Sequence, residues 1–166
     1  MKRAFCKIGM IGLCVLLLDF FSKRLVIAHF SLFDTFPIFS RFFGIDFALT
    51  HTTNKGAAWG LFAHYPYLLL AFRLGFILFL LFLLAFRRVP KNQEVAFALI
   101  FAGALGNVID FFLYGHVVDF LSFTFWGYGY PSFNVADSAI FCGALLFLLL
   151  SRRRQIEHDQ KKRQNT

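Results

Sequence analysis

Long apolar runs divide the chain into four hydrophobic segments, at about residues 8–30, 67–86, 95–113 and 133–150. An α-helix rises about 1.5 Å per residue, so about 18 to 20 residues reach roughly 30 Å, the thickness of a bilayer's hydrocarbon core. Helices are required at this depth because lipid cannot hydrogen-bond to open backbone groups. The pattern predicts an all-α membrane protein with four transmembrane helices, forming a single membrane-embedded domain over residues 1–166.

The two longer connections, at about residues 31–66 and 114–132, have a different pattern. Hydrophobic and polar positions alternate over residues 44–50, as in a half-buried strand, and residues 54–56 read Asn-Lys-Gly, a turn signal. Residues 116–120 predict a second short strand after Gly115. We therefore expect a small β-sheet outside the membrane.

The composition also indicates a membrane protein, since 58% of the residues are hydrophobic and only 16% are charged. Basic residues gather at the N-terminus, in the 87–94 loop and in the 151–166 tail, whereas the two external segments contain only Arg41 and Lys55. Basic loops stay on the cytoplasmic side of a membrane. This asymmetry places both termini in the cytoplasm and segments 31–66 and 114–132 on the outer, periplasmic side.

Several function classes are disfavoured by what the sequence contains. The net charge of +8 comes with no RNA- or DNA-binding motif, so nucleic acid is not an expected partner. The five His are scattered and the three Cys have no metal-ligand or Cys-x-x-Cys spacing, so neither a metal nor a redox site is predicted. The basic start of the first segment is followed by no small-x-small cleavage site, which indicates a retained helix.

Four aspartates lie in or beside the apolar segments, where a carboxylate is costly and is usually functional. Asp19 is four residues before Lys23 on one helix face, and Asp110 is in the third helix. Asp119 follows the third helix and Asp137 begins the fourth, so both fall at the outer boundary. Two adjacent carboxylates cannot both ionise easily, which keeps one protonated while the other accepts a proton. Such a pair can activate water and protonate a leaving group, as in aspartyl proteases.

Simpler interpretations of the same residues stay open at this point. Asp137 fits an ordinary first-turn acid with Asn134 as the N-cap, and Asp119 fits a loop residue in water. Asp19 and Lys23 fit a structural ion pair. If the dyad interpretation is right, the Asp119 and Asp137 carboxyls should lie near each other and face a cavity.

The sequence resembles the signal peptidase II family, also called prolipoprotein signal peptidases, over nearly its whole length. The order of the matching motifs and their placement against four helices are those of the family. The motifs are DFFSK at residues 19–23, NKGAAWG at residues 54–60, GNVID at residues 106–110 leading into VVDF at residues 117–120, and FNVADS at residues 133–138.

The resemblance implies a catalytic pair at Asp119 and Asp137, with no metal or organic cofactor. It implies a substrate whose cysteine already carries a diacylglyceryl group, cut just before that cysteine at the outer face of the bacterial inner membrane. Membrane lipids and the cyclic peptide globomycin are further implied ligands. The positions that match residues supporting or lining the family's site are Asp19, Lys23, Asn54, Gly56, Asn107, Asp110, Asn134 and Ala136.

The chain departs from the family at two positions. Phe111 stands where the family usually has Arg, a residue thought to help hold the substrate backbone, and Trp59 stands where Phe is commoner. Arg73 is seven residues after Pro66, near the outer end of the second helix. Its guanidinium has three open placements: the lipid headgroups, the bundle interior in place of the missing Arg, or a pair with Asp110.

Two other functions fit parts of the sequence. A small transporter or proton relay would also bury Asp, Lys and Asn, but it predicts polar residues through the whole depth, and the fourth segment is apolar from Ala139 to Leu150. An inactive relative that only binds lipoproteins is the second alternative, supported by Phe111. Cleavage of a lipid-modified precursor separates both from the protease.

Overall fold

The structure is a computed structural model that describes residues 2–56, 61–86 and 88–164. Residues 57–60 of the second family motif, with Trp59 among them, lie outside the described residues. The helices are α1 (Lys2–His29), α2 (Pro66–Ala85), α3 (Glu94–Tyr114) and α4 (Val135–Gln164), and a 3₁₀ turn at Lys91–Gln93 precedes α3. The strands are β1 (Thr35–Phe42), β2 (Ile45–Asn54), β3 (Val117–Phe125) and β4 (Tyr128–Gly129).

Within the described residues, three helical segments are long and apolar enough to cross a membrane: Pro66–Ala85, Lys91–Tyr114 and Val135–Ile156. The protein is therefore a helical membrane protein, as predicted. A fourth crossing, by α1, stays a prediction, because α1 carries Asp19, Lys23 and Arg24 close together in its second half.

Two helices differ from their predicted bounds. Helix α1 begins at Lys2 rather than near residue 8, and α4 continues to Gln164 rather than ending near residue 150. The predicted tail from residue 151 is thus helical through almost its whole length. Its Arg, Gln, Lys and Glu residues are good helix formers, so the chain keeps its helical backbone after the apolar run stops.

The strands form one antiparallel sheet in the order β1-β2-β3-β4 across the described residues. The predicted alternating segments are β2 and β3, and both extend further than the sequence indicated. Strand β1 was not predicted; it contains Pro37 and lies at a sheet edge, where a strand tolerates proline. The register places Thr52 opposite Asp119 in β3. The periplasmic location of this sheet stays a prediction.

A glycine in the left-handed backbone conformation connects α3 to the sheet. Gly115 has a φ of 75° and its N–H donates to the Phe111 carbonyl at 2.9 Å, which ends the helix. Val117 then starts β3, and this strand pairs with Asn54 at the end of β2. The turn therefore leads from the end of α3 into β3, the strand that contains Asp119.

Helices α3 and α4 approach each other closely through glycines. A Cβ added at Gly103 would collide with the Ala136 carbonyl oxygen, and one at Gly143 would lie 2.8 Å from the Ala96 carbonyl oxygen. Small residues allow helix backbones in membranes to pack at this distance. The contact fixes the start of α4 against the middle of α3.

Candidate active site

The first turn of α4 is capped by side chains from two directions. Asn134 is the N-cap, and its Oδ1 accepts a hydrogen bond from the Asp137 N–H at 2.8 Å. The Ala136 N–H donates to Oδ1 of Asp19 in α1, also at 2.8 Å. These bonds satisfy two of the otherwise open N–H groups of a helix start. The predicted cap is confirmed, and Asp137 is held at the third position of the helix.

Asp119 reaches the same place from strand β3. The Asn134 side-chain amide donates to Oδ1 of Asp119 at 2.8 Å and to the Val118 carbonyl at 3.2 Å. Asn54, at the end of β2, also hydrogen-bonds the Asp119 carboxylate. Asp119 is only 2% exposed, so its interpretation as a loop residue in water is wrong.

Asn107 of α3 completes the link between the two aspartates. Its side-chain amide donates to Oδ1 of Asp137 at 2.7 Å, while its Oδ1 accepts from the Asn134 amide at 3.3 Å. The Asp119 carboxyl is therefore hydrogen-bonded to the Asn134 amide and the Asp137 carboxyl to the Asn107 amide, and these two amides are hydrogen-bonded to each other. This chain of hydrogen bonds, from Asp119 through Asn134 and Asn107 to Asp137, brings the predicted pair into one site.

A buried ion cluster lies beneath this chain. The Lys23 ammonium contacts Oδ2 of Asp19 and Oδ2 of Asp110, each at 2.7 Å, and Oδ1 of Asn107 at 3.5 Å. Asp110 also accepts the Val118 N–H at 3.2 Å. Lys23 is 1% exposed, so its charge is compensated almost entirely by protein groups. The Asp19–Lys23 pair is confirmed, and it is part of a cluster that spans α1, α3 and β3.

The electrostatics of Asp119 favour its protonated form. Burial, and then the nearby charge of Asp137, raise the pKa of Asp119 to about 7, against the opposing hydrogen bonds from Asn54 and Asn134. Asp119 therefore keeps its proton to a much higher pH than an ordinary aspartate does. A pair of acids that holds one proton near neutrality has the charge state that water activation requires.

A cavity of about 200 Å³ opens beside Asp137. Asn107 and Asp137 form part of its wall, together with Arg73 of α2 and Gly56. The remaining lining residues are Asn54, Val117, Tyr130, Pro131, Ser132 and Phe133. The space lies at the level where the helix ends meet the sheet, and it is large enough for part of an extended peptide.

All ten residues predicted for the site belong to this assembly or line its cavity. Gly56 does so through its backbone: its N–H donates to Oδ1 of Asn54, and its carbonyl accepts from Arg73. The catalytic and supporting roles of these residues stay predictions. Tyr130, Pro131 and Ser132 also line the cavity, although they were not predicted to do so. The signal in the sequence was their position directly before the motif that begins at Phe133.

Comparison with known proteins identifies the family. Residues 11–153 match the family described as signal peptidase (SPase) II. The lipoprotein signal peptidase of Desulforapulum autotrophicum is 39% identical over 156 residues, covering 88% of this chain and 91% of that protein. The lipoprotein signal peptidase of Staphylococcus haemolyticus is 34% identical over 158 residues, covering 89% and 92%.

The fold is also similar to that of a solved structure. A bacterial membrane enzyme determined by the in meso method at 2.3 Å resolution superposes with a TM-score of 0.80 at 29% identity, covering 90% of this chain and 89% of that one. The transporter interpretation does not account for these matches. Since the family match extends over most of the sequence and relatives align at nearly full length, the chain belongs to the signal peptidase II family of membrane proteases.

Proposed function

We propose that this chain is an aspartyl endopeptidase that removes signal peptides from diacylglyceryl-modified prolipoproteins, cutting just before the lipidated cysteine. Membership of the signal peptidase II family supports the substrate class. The observation that carries the aspartyl mechanism is the hydrogen-bonded chain from Asp119 through Asn134 and Asn107 to Asp137, beside a cavity. No metal or organic cofactor enters the proposal.

The proposed reaction uses the two carboxyls in opposite protonation states. The ionised carboxylate takes a proton from a water molecule, whose oxygen bonds to the carbonyl carbon of the cleaved peptide bond. The protonated carboxyl donates a hydrogen bond to the carbonyl oxygen as negative charge develops there. Collapse of the tetrahedral intermediate breaks the carbon–nitrogen bond, and the leaving amine takes a proton from the dyad. Water is the only co-reactant.

The supporting residues have a positional role in this scheme. Asn134 and Asn107 fix the rotamers of the two aspartates, and the cluster around Lys23 fixes the backbone on which they are carried. Preorganised polar groups lower the barrier because they need not reorient during the reaction. We assign Asp19, Lys23 and Asp110 to this positional role rather than to contact with the substrate.

The decisive experiment is cleavage of a precursor that carries diacylglyceryl on its cysteine, by the purified full chain in a bilayer. The matched control is the same precursor without the lipid. We expect cleavage of the modified precursor alone, with inhibition by a globomycin-type cyclic peptide. Binding without cleavage would instead identify an inactive, lipoprotein-binding relative.

The pH dependence of cleavage follows from the raised pKa of Asp119. The mechanism needs one proton on the pair, and this proton is lost as pH rises through about 7, the folded-state pKa of Asp119. We expect kcat/KM to fall above about pH 7, approaching tenfold per pH unit. A rate that stays constant up to pH 9 would contradict a shared proton on Asp119 and Asp137.

The proposed location is the bacterial inner membrane, with both termini in the cytoplasm and the dyad toward the periplasm. The basic residues at the chain ends and in the 87–94 loop support this orientation. Alkaline phosphatase fused after Lys55 is expected to be active, and the same fusion after Arg88 or Arg154 inactive. The reverse activities would place the sheet and the dyad in the cytoplasm.

A further inference from the structure

Arg73 is a cation that the membrane-spanning helix α2 directs into the cavity. It lies near the outer end of that helix, and its Nη2 donates to the Gly56 carbonyl oxygen at 3.0 Å. The side chain lines the cavity together with Asn107 and Asp137. The interpretation that Arg73 only reaches lipid headgroups is therefore wrong. Of the two other open placements, the structure shows the one in the bundle interior, with the Gly56 carbonyl rather than Asp110 as the hydrogen-bond partner.

The charge of Arg73 lies beside one member of the dyad. Its guanidinium shares the wall of the cavity with the Asp137 carboxylate. Asp110 already has a cation of its own, because it contacts the Lys23 ammonium at 2.7 Å. Two aspartates that share one proton carry one negative charge, which offsets the cost of placing the Arg73 cation in the same cavity.

The hydrogen bond to Gly56 shows what kind of group suits this guanidinium. A guanidinium presents five N–H donors in a fixed planar fork, and one of them already holds a peptide carbonyl. Gly56 follows the end of β2, so its carbonyl belongs to backbone at the rim of the cavity. A second extended backbone in the cavity would present its own carbonyls to the same fork.

We propose that Arg73 is a substrate-binding residue, whose guanidinium holds a main-chain carbonyl of the precursor in the cavity beside Asp137. This role rests on the proposed peptidase function and deepens it. The ligand is the neutral, extended peptide next to the cleaved bond rather than the lipid. The Gly56 carbonyl holds the arginine in place before the substrate arrives.

Phe111 explains why the cation comes from α2. Phe111 is buried, and its ring packs edge-on against Tyr67 of α2, with ring centroids 5.9 Å apart. It lies one helical turn after Asn107, on the same face of α3, so an arginine here would point toward the cavity wall. In this chain that position is apolar, and Arg73 supplies the guanidinium from the neighbouring helix.

The test compares full-length variants in bilayers on the lipid-modified precursor. Arg73→Gln is expected to raise KM about tenfold to a hundredfold while kcat changes less than about threefold, the pattern for a lost ground-state contact. Arg73→Lys is expected to recover part of the KM, since it keeps the charge but loses the fork. Phe111→Arg in the Arg73→Gln background is expected to bring KM back toward the wild-type value.

The control is Arg41→Gln, which removes an exposed arginine from strand β1 on the same side of the protein and should leave both constants unchanged. The unfolding midpoint of every variant is measured in the same lipid. Full activity of Arg73→Gln, or a loss confined to kcat, would overturn the binding role. A double variant no better than Arg73→Gln would overturn the shared role of positions 73 and 111. If the wild-type chain does not cut the precursor, the peptidase function fails instead.

Discussion

Asp119→Asn and Asp137→Asn are each expected to lower the rate of precursor cleavage by at least about 10³-fold while the protein stays folded. An amide can neither take a proton from water nor share one with the remaining carboxylate. It has nearly the same shape as the acid, so it keeps contact with Asn134 or Asn107. The measurement is initial cleavage rate on the lipid-modified precursor, beside the unfolding midpoint.

Asp34→Asn is the matched control for these two substitutions. Asp34 is an exposed acid on the same side of the protein, where its Oδ2 accepts the Ser31 N–H at 2.8 Å and closes a turn. Loss of its charge should leave cleavage within about twofold of wild type. Substantial activity in either dyad variant would remove the aspartyl mechanism.

Lys23→Met is expected to lower the free energy of unfolding by about 3–5 kcal/mol. The methionine has similar length but leaves the Asp19 and Asp110 carboxylates buried together without their shared cation. Two of the hydrogen bonds that fix the start of α4 and of β3, from Ala136 N–H and Val118 N–H, end on these carboxylates. Equilibrium unfolding in mixed micelles measures the change.

Arg24→Met is the neighbouring control, because Arg24 is on the same helix but exposed. It should change the free energy of unfolding by less than about 1 kcal/mol, the range of a surface charge. Equal effects of the two substitutions would mean that the buried cluster contributes no more than an exposed charge.

Local patterns predicted most of the secondary structure. Apolar runs located the helices, and alternation located β2 and β3, because both signals depend on neighbouring residues. The 19–23 spacing likewise predicted the Asp19–Lys23 pair, now observed at 2.7 Å. Strand β1 was missed because Pro37 and its consecutive apolar residues break the alternation. The extension of α4 was missed because its charged residues resemble a solvated tail.

Contacts between distant segments could not be predicted in the same way. Nothing local indicates that Lys23 meets Asp110, or that Asn107 meets Asp137, since these pairs depend on how α1, α3 and α4 pack. The family motifs brought the ten residues together as a set, but not their bonds. The direction of Arg73 depends on the rotation of α2 about its own axis, which the otherwise apolar sequence of that helix leaves undetermined.

The glycine contact between α3 and α4 limits how this sequence can drift over generations. Apolar positions that face outward, such as Phe76 and Phe79, can exchange for other apolar residues with little consequence for the site. Gly103 cannot, because it lies against the carbonyl of Ala136, immediately before Asp137. A larger residue would spread the helices and lengthen the Asn107–Asp137 bond. Selection against substitutions at this glycine contact thus acts through loss of activity as much as through loss of folding.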